Sequence, residues 1–308
     1  MKFDVVVAHY KENIDWVRRL KHNLLGNVFV YTKSEQEPDL SSMEKTCHSY
    51  LTNVGRESHT YIWHCVNRWD ELKSKESSDF IFFVQGSPHG MDAENIMRWI
   101  DAVAEENLDY TYNYRMSNPY DFLNAGRCPS WAGETSSANC NVKEWCEKHV
   151  RAGMSTSLPI FWNGCFGVSV KLILESNISR YINLIQKELA TINPECGHYC
   201  ERLWYYIFNM DKSESKRPHN CYSFWGGSDG NRHYGTIKLR EDGKIGMYHH
   251  HNETFWSASG DSITFYDDVG KPTCVLYKKN DNEYSGPFLG GGSKATHRII
   301  RLDYDVYL

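Results

Sequence analysis

Apolar runs and apolar stripes alternate along the first half of the chain. Residues 4–8, DVVVA, are a short β-branched run bounded by polar positions, the pattern of a buried strand. Ile14, Trp16, Val17, Leu20 and Leu24 then fall near one stripe and predict a helix, and NVFVYTK at 27–33 predicts a second strand. After a polar loop, Tyr61, Ile62, Cys65, Trp69 and Leu72 recur at helical spacing, and FIFFV at 80–84 reads as a third strand buried on both faces. Asp92 is placed to cap the next helix, whose face is Ile96, Ile100, Val103 and Ala104. Strand and helix in alternation predict an α/β fold with a mostly parallel sheet flanked by helices.

From 110 to 160 the pattern dissolves into Asn, Ser, Pro, Gly and Trp apart from a helical stretch near 141–149, which reads as a functional loop region. Order returns with WNGCFGVSVKLIL, a stretch carrying Ile178, Tyr181, Ile182, Ile185 and Leu189, and the helix HYCERLWYYIF at 198–208. Beyond about residue 236 the period becomes two. TIKL, KIGMYH, SITFY and TCVLY are separated by turn signals, which predicts a small C-terminal antiparallel β-module, so the domains are read as 1–232 and 233–308.

Composition narrows the function classes. A net charge of −5 argues against binding a phosphate backbone, so nucleic acid is not expected as a partner. The N-terminus has no signal-peptide h-region, and the most apolar stretch, 158–174, contains Asn163, two glycines and Lys171, a poor membrane span. A soluble, cytoplasmic protein is the expectation. The ten cysteines form no Cys-x-x-Cys pair, so reduced thiols are expected; Cys196, His198 and Cys200 are the nearest approach to a metal cluster and lack a second half. The aromatic fraction of 14% fits either sugar-stacking surfaces or an aromatic core.

In open α/β sheets ligands bind beyond the carboxyl ends of the strands. Those ends carry His9, Tyr10 and Lys11, then Thr32 and Lys33, then Gln85, Gly86, Ser87 and His89. NVGRESHTY at 53–61 sets a Gly and an Arg just before a helix, either a phosphate-binding turn or a plain turn and cap.

The segments VVVAHYKENIDWV, NVGRESHTYIWHCVNRWDEL, DFIFFVQGSPH, FWNGCFGVS and ERLWYYIF, in this order, resemble an uncharacterised family of fungi, algae and large viruses (a chlorella-virus type) related to the GT-A glycosyltransferases. The resemblance covers roughly residues 3–210. It implies a GT-A-like, Rossmann-like fold and a glycosyltransferase moving a sugar from a UDP- or GDP-sugar to a glycan or glycoprotein hydroxyl; for a viral member, in the host cytoplasm. His9, Tyr10, Thr32, Asn53, Gly55, Arg56, Gln85 and Gly86 would bind the donor, Trp162 and Asn163 the acceptor, and Glu201 would be the general base of an inverting transfer, unless it serves a structural ion pair. The departure is at Gln85, where the fold usually keeps an Asp-x-Asp motif for Mn²⁺ or Mg²⁺. Either cationic groups replace the metal, or His89, Asp92, His249 or His251 hold it; strand alternation would set His249 and His251 on one face and His250 on the other. The β-module would help bind acceptor or shape a dimer. A nucleotide-sugar hydrolase and a non-catalytic, lectin-like protein are the rival readings.

Overall fold

The computed structural model describes residues 1–41, 45–87, 93–106, 108–112, 115–117, 135–153, 158–161, 164–212, 221–228, 230–240, 242–246, 248, 250–290 and 295–301. The chain forms two compact units, Met1–Ser215 and Lys216–Leu308.

In chain order the first unit contains β1 (Phe3–His9), β2 (Leu25–Thr32), β3 (Thr46–Tyr50), α1 (Arg56–Asn67), α2 (Trp69–Ser74), β4 (Phe80–Gln85), α3 (Ala93–Glu106), β5 (Tyr110–Tyr112), β6 (Arg115–Ser117), α4 (Val142–His149), β7 (Leu158–Ile160), β8 (Phe166–Ser169), α5 (Val170–Leu174), α6 (Ile178–Asn183) and α7 (Glu195–Ile207). Six of the strands make one sheet in the order β3-β2-β1-β4-β8-β5. β1 to β4 run parallel, while β8 is antiparallel to both β4 and β5, so the sheet is mostly parallel. Two sequence expectations change. FIFFV lies in the fourth strand, because TCHSY pairs as β3 although it has no apolar run. The helix expected after β1 is only a five-residue 3-10 turn, Asp15–Arg19, that seats Trp16 and Val17 in the core.

The pleat divides the core between two faces. Phe3, Val5 and Val7 of β1 with Phe80, Phe82 and Val84 of β4 pack toward Ala93, Ile96, Ile100 and Val103 of α3. On the other face Phe83 meets Tyr61 of α1 at 5.0 Å and Phe166 at 5.3 Å between ring centroids, and Trp204 of α7 meets Phe166 at 5.4 Å. These rings are buried, so much of the aromatic content is core rather than sugar-facing surface. Each such side chain taken from water stabilises the fold by roughly 1.5–3 kcal/mol. α1 and α7 are thus held together on the face of the sheet opposite α3.

The second unit is one eight-stranded antiparallel sheet made of β9 (Cys221–Gly226), β10 (Arg232–Leu239), β11 (Ile245–Gly246), β12 (Phe255–Ser259), β13 (Ser262–Tyr266), β14 (Pro272–Asn280), β15 (Glu283–Pro287) and β16 (Thr296–Arg301), ordered β11-β10-β9-β16-β15-β14-β13-β12. A bridge between Lys244 and Phe255 and the bonds from Ile245 N to Thr254 O (2.9 Å) and Trp256 N to Gly243 O (2.8 Å) bring its two ends together into a near-closed barrel. The unit starts earlier than the period change suggests, because Tyr222 and Phe224 of β9 already point into its core. Among the described residues no helix is long and apolar enough to cross a membrane.

Candidate functional site

The chain passes from β1 to β2 and β3 on one side of the sheet and then returns to β4 on the other side of β1. The carboxyl ends of β1 and β4 therefore flank the point where strand order reverses, the place where open α/β sheets bind ligands. A cleft of about 390 Å³ lies there, lined by Ala8, His9, Tyr10, Glu12, Lys33, Asn53, Arg56, Glu57, Thr60, Gln85 and Ile192. Tyr10, Lys33 and Asn53 also line a second hollow of about 580 Å³ with Lys11, Ser34, Glu35, Gln36 and Leu51.

The floor is a polar relay from the ends of β1 and β2 to the middle of β3, buried at His9 and Thr32 and half-buried at His48. His9 Nδ1 lies 3.0 Å from Thr32 Oγ1, which lies 2.9 Å from His48 Nε2, and His9 Nε2 lies 3.1 Å from the Glu12 carbonyl. Burial lowers the His9 pKa below the usual imidazole range, outweighing the opposing pull of Glu12. A neutral His9 must donate from Nε2, since a carbonyl can only accept; its Nδ1 then accepts from the Thr32 hydroxyl, and Thr32 accepts from His48 Nε2–H. The protonation pattern of the floor follows from one carbonyl.

The wall is the start of α1. Gly55, with φ +64°, caps the helix, and a Cβ there would lie 2.5 Å from His59 Cβ and 2.6 Å from the Leu189 carbonyl, so only glycine fits. Arg56 follows, also at positive φ. Its Nη1 donates to Asn193 Oδ1 at 3.3 Å, and its Nε lies 3.6 Å from Glu57 Oε2. Lys33 Nζ donates to the carbonyls of Val54 (2.6 Å) and Arg56, tying the end of β2 to this turn. Burial pulls the Lys33 pKa down to about 7, against a smaller upward pull from Glu57. Thr60 Oγ1 lines the cleft fully buried, with no hydrogen-bond partner among the described residues.

Opposite, Trp16 Nε1 donates to the Gly86 carbonyl at 2.8 Å, and Gly86 N donates to Ala8 O at 2.8 Å, pinning the turn after β4 against β1. A Cβ on Gly86 would lie 2.9 Å from Glu12 Oε2. The glycine makes room for that carboxylate, which accepts from the backbone N–H groups of Tyr10 (2.7 Å) and Lys11 (3.1 Å).

Of the residues expected to bind a donor, His9, Tyr10, Asn53, Arg56 and Gln85 line the cleft. Thr32, Gly55 and Gly86 are buried behind it and support it. Glu201 sits on α7 with Oε2 3.5 Å from Arg202 Nη1 and is not among the lining residues; the carboxylates that line the cleft are Glu12 and Glu57. Glu201 and Glu57 both bear on the buried Tyr61 and Cys165, which puts them in one neighbourhood. Trp162, Asn163, His89, Asp92 and His249 lie outside the described residues.

His251 belongs to the second unit, and strand alternation does not apply to it. Residues 250–253 form a turn closed by Glu253 N to His250 O at 2.9 Å, and the rings of His250 and His251 lie 4.4 Å apart between centroids, tilted by 32°. Cys196, His198 and Cys200 are buried on α7, and the Cys196 thiol donates to Glu188 at 3.3 Å. Among the described residues no three His, Cys, Asp or Glu side chains converge to hold a metal ion.

Sequence reasoning missed Glu12, Glu57, Thr60 and Ile192, and noted Lys33 only as a strand-end residue. Glu57 reads as a common acidic residue of a helix first turn. Glu12 reaches the cleft by folding back from a loop, which no periodicity reports.

No curated protein matches the chain. Among solved structures, 4-diphosphocytidyl-2C-methyl-D-erythritol synthase is similar at 12% identity with a TM-score of 0.32, over 59% of this chain and 84% of that one. A psychrophilic marine protease MP inhibitor is similar at 16% identity with a TM-score of 0.23, over 28% of this chain and 95% of the inhibitor. Both TM-scores are too low to assign a fold. A family model described as "Protein of unknown function (DUF3431)" matches residues 5–224, from β1 into β9. With well over half of its length matched, the chain belongs to the DUF3431 family.

Proposed function

We propose that the first unit is a GT-A-like glycosyltransferase that binds a nucleotide sugar in the cleft between the ends of β1 and β4 and transfers the sugar to a glycan hydroxyl with inversion. The observation that carries this reading is the convergence of Lys33, Arg56 and the N-terminus of α1 on one cleft at the strand-order reversal. Free N–H groups of a helix start and two cationic side chains suit a diphosphate, and the same groups stabilise the charge that develops on the leaving group. Tyr10, 41% exposed and shared by the two hollows, offers a ring face for the nucleoside or sugar.

Inversion requires the acceptor oxygen to attack the anomeric carbon from the face opposite the departing diphosphate while a carboxylate takes its proton. The resemblance assigns that role to Glu201, whereas the cleft lining favours Glu57, whose Oε2 is held 3.6 Å from Arg56 Nε. The described residues do not by themselves fit a divalent cation, since Gln85, Gly86 and Ser87 supply no carboxylate after β4.

The test is a thermal-shift screen of nucleotides and nucleotide sugars with and without Mn²⁺, followed by nucleotide release with Glu57→Gln and Glu201→Gln. Donor-dependent stabilisation and turnover that collapses in one of the two variants is the expected outcome. If no nucleotide stabilises the protein under either condition, the transferase reading fails.

A further inference from the structure

We propose that Lys33 is the proton-coupled anion ligand of the cleft, taking up one proton from solvent as an anionic diphosphate binds. The inference rests on the cleft being the donor diphosphate site, and its experiment separates the two. Its basis is a count of donors. A neutral lysine amine has two N–H groups and an ammonium has three. Lys33 Nζ meets two acceptors, the carbonyls of Val54 and Arg56, which the two N–H groups of the neutral amine already satisfy. Lys33 is 9% exposed yet lines both hollows, so a third acceptor would come from a ligand there.

The groups around it agree. From β1 and its loop come neutral His9, Tyr10, Lys11 and Glu12; from the segment after β2, Glu35; through Thr32, His48 of β3; and from α1, Arg56, Glu57 and His59. The carboxylate that bears on Lys33, Glu57, is shared with Arg56 at 3.6 Å, and no described ion pair joins Lys33 to any carboxylate. Free of ligand, desolvation holds the amine near the edge of neutrality, at about 7. A phosphate oxygen supplies both the third acceptor and the counter-charge, so the charged form is favoured in the complex and solvent provides the proton.

The experiment is titration calorimetry of the whole protein at about pH 8 in buffers of different ionisation enthalpy, which reads the protons bound per ligand. UDP-glucose and GDP-mannose are the probes, because their diphosphate diesters do not titrate near neutrality, and inorganic pyrophosphate is run beside them. The expected result is uptake of close to one proton on binding, with Kd rising about tenfold from pH 8 to pH 9. Lys33→Arg, whose charge is permanent, binds with a flat pH profile and about one proton fewer per ligand. The Lys33→Arg difference cancels the titration of pyrophosphate itself. If pyrophosphate alone binds with this difference, the inference stands and the transferase reading falls. If a sugar nucleotide binds with no proton uptake, or with the same uptake in Lys33→Arg, the inference is overturned while the transferase reading survives. If none of the three probes binds, both are overturned. Should Lys33→Arg misfold, the wild-type proton count and pH profile decide the question.

Discussion

Thr32 shows how much one hydroxyl can carry. It has no access to solvent, donates to His9 and accepts from His48, and thereby joins His9, which lines the cleft, to the His48 ring of β3. Thr32→Val keeps the shape and removes the hydroxyl, leaving His9 Nδ1 buried without a donor. A loss of about 1–3 kcal/mol in urea unfolding is expected, that being the usual penalty for an orphaned buried polar atom. The same variant should raise the ligand Kd more than this loss of stability alone would, because His9 is freed to turn; calorimetry on the folded variant checks it. The relay also shows where sequence reading stops. His9 and Thr32 were visible as strand-end residues, but their link to His48 depends on pairing between β2 and β3, and TCHSY carries no strand pattern.

Among the elements, those defined by local chemistry were the legible ones. β1 and β4 announce themselves by apolar runs, and the helical stretch near 141–149 is α4, whose start is fixed by Asn141 and Glu144. The structure shows the reciprocal cap: Glu144 N donates to Asn141 Oδ1 at 3.0 Å, and Asn141 N donates to Glu144 Oε2 at 3.3 Å. Asn141→Ala should cost about 1 kcal/mol, seen as a lower urea midpoint with unchanged slope. What depends on distant partners was not legible. The stripe Ile14–Leu24 looks helical, yet Leu20 reaches the core in extended conformation just after the short turn and Leu24 from a second turn, closed by Leu25 N to His22 O at 3.1 Å, because β2 must start at Leu25 to pair with Phe3. Cleft lining followed the same rule: Arg56 was readable from the Gly-Arg turn before a helix, whereas Glu12 was hidden by a fold-back that brings it under Gly86.

At the scale of the whole molecule, the described part of the first unit buries His9, His59, His64 and His198 in neutral form. Desolvation pushes His59 and His198 down to about 4 and His64 down to about 3 from an ordinary 6.5. In the window from about 6.5 down to about 4 the unfolded chain binds more protons than the folded one, so stability is fully present above 6.5 and is lost as pH falls. Each imidazole adds up to about 1.4 kcal/mol per pH unit to that slope. Melting temperature should therefore drop steeply between about pH 6.5 and pH 4.5, and His64→Gln should flatten the drop. In the second unit, among the described residues, the near-closure of the barrel rests on the two-residue strand β11, Ile245–Gly246, whose junction to β12 is carried by the Lys244–Phe255 bridge and its neighbouring bonds. Between β9 and β10, by contrast, the pairing runs from Arg232 to Lys238. The barrel thus has a seam. In hydrogen–deuterium exchange the Ile245 and Trp256 amides should exchange well before those of β9 and β16, since the wall can breathe along that line without the rest of the barrel unfolding.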